Sequence, residues 1–166
     1  MKRVLLCLAL MLAFFPAMVY AQYAPSVGSF AFTLQGYTVQ GQLSNGVINS
    51  DNSVSMAMSI DDSLQTPIGA VPVTGNGEWA GTVNGTTVSG TIENVSGSIQ
   101  VCYFFFFCGY ANYVGNGTWA GTLSGEQGAG TFNGLITFTS SSFSQVPLNQ
   151  PIPVSGNWNS SFQSSQ

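Results

Sequence analysis

Gly77-Glu-Trp79-Ala-Gly81-Thr-Val83-Asn84-Gly85-Thr-Thr-Val88-Ser-Gly90-Thr-Ile92 reads as a β-hairpin. Apolar and small polar residues alternate on either side of Asn84-Gly85, a dipeptide favoured in two-residue turns because both central positions of a type I′ turn need positive φ. Centring the turn there pairs Val83 with Thr86, Gly81 with Val88, Trp79 with Gly90 and Gly77 with Ile92. The indole then lies across from a glycine, with room to fold over the neighbouring backbone.

The same pattern recurs. Gly28-Ser-Phe30-Ala-Phe32-Thr-Leu34 and Gly117-Thr-Trp119-Ala-Gly121-Thr-Leu123 open two further units, and Gly156-Asn-Trp158-Asn-Ser160-Ser-Phe162 opens a fourth that stops halfway. Turns at Gln35-Gly36 and Ser124-Gly125 place Phe30 opposite Gly41 and Trp119 opposite Gly130. Each hairpin is followed by another strand-like run (Val54–Ile60, Val95–Val101 and Leu135–Thr139), and Pro-bearing loops follow at 67–72 and 147–153. No 3.6-residue stripe occurs after residue 21, so the chain is expected to be all-β. The expected architecture is an antiparallel two-sheet sandwich or flattened barrel, built from three hairpin repeats and a terminal half repeat. A pseudo-threefold β-trefoil or prism is the alternative.

Residues 1–21 have the form of a secretory signal: Lys2-Arg3, an apolar run from Val4 to Val19 interrupted by Pro16, and a small-residue site at Ala21. The expected mature chain, 22–166, is a single domain with no membrane span and an N-terminal strand around 22–35 that could be exchanged. Lys2 and Arg3 are the chain's two basic residues and there is no His. Without the signal there remain six acids and no base, a formal charge of −6. Nucleic acid is thereby excluded as a partner, since phosphate recognition rests on Lys and Arg. Lysine-based covalent catalysis and His-activated nucleophiles are excluded too. With so few charges, stability is expected to change little between pH 7 and pH 3. No cofactor or metal is implied.

Cys7 belongs to the signal, which leaves Cys102 and Cys108 as an even pair expected to form a disulfide in an oxidising compartment. Between them stand Tyr103, Phe104, Phe105, Phe106 and Phe107. Five consecutive aromatics cannot share one strand face, so they are expected either to complete the core or to present a contact surface. Asn84, Asn94, Asn116 and Asn159 each begin an N-glycosylation sequon. Glu78 and Glu93, on the outer face and diagonal in the derived register, have a spacing that a carboxylate-pair glycosidase could use, but no cationic group stands nearby. Asp51 and Asp61-Asp62 read as turn residues rather than a cation loop. Trp79, Trp119 and Trp158 face the core in this register, which argues against stacking on sugars. The chain is not expected to be an enzyme.

The non-prepilin signal ending Val19-Tyr-Ala21, the Gly/Ser/Thr/Asn-rich chain with sequons, and the strand-like Phe30–Leu34 resemble secreted subunits of archaeal thread-type filaments. That resemblance implies glycosylated β domains completed by the N-terminal strand of the next subunit, with Phe30, Phe32 and Leu34 as the donor strand. The expectation is therefore a secreted structural or adhesive surface protein whose partners are copies of itself, with glycans as further partners. The alternative is a monomeric secreted carbohydrate-binding domain working through Trp, Tyr103, Tyr110 and Tyr113.

Overall fold

The computed structural model describes residues 27–34, 36–66, 69–103 and 107–165, with the backbone alone for Val27, Tyr103 and Phe107. The expected signal, the cleavage site and Phe104–Phe106 lie outside the described residues. The elements are β1 (Val27–Leu34), β2 (Tyr37–Ile48), β3 (Ser53–Thr66), β4 (Gly69–Asn84), β5 (Thr87–Tyr103), β6 (Phe107–Ser124), β7 (Gln127–Ser141), β8 (Pro151–Ser161) and the short β9 (Gln163–Ser164). Strands β1 to β8 are each antiparallel to their sequence neighbours, and β8 also pairs with β1. The all-β expectation holds, but there are not two sheets: eight strands close into an up-and-down barrel, with β9 added parallel to β2. The half repeat explains the closure. β8 has no hairpin mate of its own, and its two neighbours are β7 and β1.

The hairpin register departs from expectation in two of three copies. In the first, Phe30 does face Gly41. In the second, Val83 pairs with Val88, Gly81 with Gly90 and Trp79 with Ile92, two residues away from the pairing expected. The third shifts likewise, so that Trp119 faces Phe132. The cause lies in the turns. Gly85 and Gly125 take φ of +62° while Asn84 stays at negative φ, so Gly85-Thr86 is the turn, with glycine first as type II′ requires. A shift of two leaves every side chain on the same face, and the aromatic–glycine pairs reappear between units: Gly90 faces Trp119 and Gly130 faces Trp158.

The runs Val95–Val101 and Leu135–Thr139 are not separate strands but the upper parts of β5 and β7. β5 passes through a bulge at Glu93–Asn94, with Asn94 at φ 54°, and its inward face changes from Val88 and Ile92 to Val95. Asn45, at the equivalent place in the first unit, has the same φ of 54° beside a bulge in β2. The expected Pro loops also contract. Pro72 lies in β4 just beyond the last pair with β5, and Pro151 and Pro153 lie in β8 beyond the last pair with β1. Proline is tolerated in such places because its missing N–H faces no partner.

The inside of the barrel is apolar and the outside is small and polar. Phe30, Phe32, Trp79, Trp119, Phe132 and Trp158 form a connected aromatic cluster in the barrel's middle and lower part, with ring centroids 5.3 to 6.4 Å apart. Ser55, Ser59, Thr82, Ser89, Thr91, Thr118, Thr131, Asn157 and Asn159 face outward. This polarity is the inverse of the apolar outer band of a transmembrane barrel. Among the described residues, no helix is long and apolar enough to cross a membrane.

Candidate functional site: the upper mouth of the barrel

The two ends of the barrel are built differently. The lower end carries the turns 49–52, 85–86 and 125–126 and the C-terminal segment. There the chain leaves β8, tucks in Phe162 (2% exposed) against Trp158 and Gly128, and continues to β9 beside β2. The Phe162 amide donates to the Glu126 carbonyl at 2.7 Å. Above this plug, each indole N–H is satisfied inside the barrel. Trp119 Nε1 donates to the Ala80 and Thr91 carbonyls, Trp158 Nε1 to the Ala120 carbonyl and Trp79 Nε1 to Met58 Sδ, all at 3.2 Å. The first two reach back to the glycine pairs Gly81–Gly90 and Gly121–Gly130, where the missing Cβ atoms of Gly81 and Gly121 admit the indoles. Tyr113 repeats the device higher up. Its hydroxyl donates to the Thr74 carbonyl at 3.0 Å above Gly75 and Gly97, and burial pushes its pKa up to about 12. The barrel's middle retains a void of only about 40 Å³.

At the upper end the packing of the described residues stops short. Leu34 of β1, Leu64 of β3, Ile99 and Val101 of β5, Ala111 of β6 and Phe138 of β7 surround a hollow of about 250 Å³. A strap, residues 142–150, leans over it with Phe143, Val146 and Pro147 on its inner side. The strap is tied at both ends: Ser142 N–H donates to the Tyr110 carbonyl at 2.8 Å and Asn149 N–H to the Phe138 carbonyl at 2.9 Å. Phe143 lies over Gly109, where any Cβ would collide with its ring. Tyr37 and Gln145 supply the polar groups of the lining, and none of the six acids contributes to it.

Cys102 and Cys108 stand opposite each other in the β5–β6 ladder and are joined by a disulfide, as expected. Through Val101 and Gly109, the next pair down, this staple adjoins the mouth wall. The backbones of Tyr103 and Phe107 pair above it; the aromatic side chains proposed as a contact surface lie outside the described residues. The sequon asparagines Asn84, Asn94, Asn116 and Asn159 are all exposed. The Asn94 side-chain amide donates to Glu78 at 3.3 Å, and Asn159 Oδ1 accepts from Ser29 Oγ at 3.3 Å.

Phe30, Phe32 and Leu34, the expected donor strand, are buried in their own barrel. β1 is paired at eight positions with β2 and at five with β8. The sugar-stacking set is dispersed: the three Trp and Tyr113 are buried, and Tyr110 is about half exposed.

Glu78 and Glu93 are directly opposite each other rather than diagonal, and each has a partner, Asn94 and Thr91 respectively. Glu93 borders an open outer groove of about 920 Å³ over the Gly117–Gly134 pair. Asp51 accepts from the Ser53 amide, and hydrogen bonds from the Ser53 side chain and backbone hold its pKa below 3.8. Asp62 accepts from the Gln40 and Ser63 amides. These carboxylates serve a turn and the gap between β2 and β3. Among the described residues, no group of three or more His, Cys, Asp or Glu gathers as a metal site.

Residue reading did not single out the mouth. A signal was nonetheless present in Phe143, Val146 and Pro147, apolar residues in the otherwise polar run Ser140-Ser-Ser-Phe143-Ser-Gln-Val146-Pro147. No protein-family model, curated protein or solved structure matches the chain.

Proposed function

We propose that this chain is a secreted, non-enzymatic binding barrel that acts as a monomer outside the cell, with the upper mouth as its working end. The observation that carries the reading is the closure of the barrel by β1 and β8 of the same chain. A closed barrel has no free edge for main-chain addition. Assembly by strand exchange would have to strip β1 from two ladders and rebuild both between chains. The polar outer face supports a life in water, and the Cys102–Cys108 bond fits an oxidising compartment. The exposed sequons are compatible with glycosylation there. The absence of Lys, Arg and His from the proposed mature chain, together with the pairing of Glu78 and Glu93 with neutral side chains, supports a binding role over a hydrolytic one.

Sedimentation velocity and negative-stain images of residues 22–166 test this reading. A single monomeric species is expected at all concentrations up to the millimolar range. Filaments or sheets assembled from the folded chain would overturn it.

A further inference from the structure

We infer that the upper mouth binds a small, uncharged, largely apolar molecule of roughly ten non-hydrogen atoms, with a flat ring and one hydroxyl or carbonyl group. This rests on the monomeric binding reading and names its ligand class. Size comes first: an apolar cavity of about 150 Å³ can hold benzene, so the 250 Å³ hollow suits a monocyclic or small bicyclic compound. A long acyl chain would not fit, because the aromatic cluster fills the barrel below and leaves about 40 Å³.

Charge comes second. No acid lines the hollow, and from residue 4 onward the chain has no cation to offer. A carboxylate or ammonium group placed there would be desolvated without a partner. Shape comes third. Phe138 on the wall and Phe143 on the strap supply rings from two elements, and aromatic surfaces favour a planar guest in offset or edge-on contact. Ala111 keeps the β6 side of the mouth small, and Gly109 leaves room for the Phe143 ring above it. Tyr37 and Gln145 can hydrogen-bond a single polar substituent.

The test uses p-cresol as the neutral probe, with 4-hydroxybenzoate and tyramine as its charged relatives, titrated into residues 22–166 and followed by methyl NMR. Saturable shifts are expected at Leu64, Val101, Ala111 and Val146, with the charged relatives binding at least 10-fold more weakly. Ala111→Phe should fill the hollow and weaken p-cresol binding at least 10-fold, and Val146→Trp should do so from the strap, with circular dichroism showing that both variants keep the native fold. Thr118→Val, in the outer groove, should leave binding unchanged. Absence of saturable shifts, equal binding of all three compounds, or full binding by the Val146→Trp variant would overturn the inference. Sedimentation of the same samples keeps the two readings apart: filaments would overturn the monomer whether or not p-cresol binds, and a monomer that ignores p-cresol would overturn the ligand class alone.

Discussion

The lower and upper halves of this barrel use the same residues for opposite ends. Below, glycines admit aromatic side chains into the wall: Trp119 lies over Gly81 and Trp158 over Gly121, and each indole ties together strands that are not neighbours. Above, Gly109 also receives an aromatic ring, but that ring belongs to a strap and not to a strand. A glycine–aromatic pair therefore locks the wall when the aromatic residue is in the ladder and holds a cover over the mouth when it is on the strap. Eight strands give an interior that side chains can just fill, and the described residues leave only a small void in the middle and the hollow at the mouth.

The sharpest way to break the contrast is glycine replacement at each end. At Gly90, a methyl group would strike the Ala80 carbonyl, which belongs to the neighbouring strand and cannot swing away. Gly90→Ala should therefore destabilise by about 3 kcal/mol or more. Gly109→Ala first meets the far edge of the Phe143 ring and should lose about 1 kcal/mol or less. Urea denaturation of the two variants compares them directly; equal losses would erase the distinction.

Next come the anchoring side chains. Trp119→Phe removes the donor shared by the Ala80 and Thr91 carbonyls and leaves a gap in the core, so a loss of about 2–4 kcal/mol is expected. Phe143→Ala should lose about 1 kcal/mol and speed hydrogen exchange around the mouth without touching the lower strands.

Tyr113 gives an intermediate effect. Its folded pKa of about 12 lies above the usual 10, so between these values the unfolded chain loses a proton that the native chain keeps. Stability should thus be intact below pH 10 and fall by on the order of 2 kcal/mol as pH approaches 12. Spectrophotometric titration should resolve one late-ionising tyrosine, and Tyr113→Phe should remove it.

The smallest effect is expected on the acid side. Asp51, with its lowered pKa, contributes stability that is present above pH 3.8 and disappears as pH falls further, but it is a fully exposed turn residue. With no base outside Lys2 and Arg3, the chain has few charge pairs to lose. Its melting temperature should change by only a few degrees from pH 7 to pH 3; a steep decline would show that buried charge matters here.

Much of this was legible in the residues. Period-two alternation and the Gly-x-Trp repeat identified the strands and which way the tryptophans face, because a two-residue error in register does not turn a strand over. The register itself differs from expectation at Asn84-Gly85. The dipeptide suits a type I′ turn, yet Gly85 alone takes positive φ and Thr87 Oγ1 donates to the Asn84 carbonyl at 2.8 Å. The bulge at Asn94 was hidden for a related reason: one asparagine in the left-handed region lets β5 continue where its alternation breaks. Closure could not be read locally, since nothing in Gly156–Phe162 says that its second neighbour is β1. The mouth was equally hidden, because it is made by residues from six strands and a strap that no local pattern brings together.

That β1 and β8 close one chain is the claim on which the rest depends. Ala31 and Asn157 are directly opposed across this seam, and Asn157 faces outward. In the double variant Ala31→Cys/Asn157→Cys, oxidised at low and high protein concentration, the account predicts a disulfide within one chain and a monomer on non-reducing gels. A ladder of covalent multimers linked through these two positions would show that β1 completes a neighbour's barrel instead.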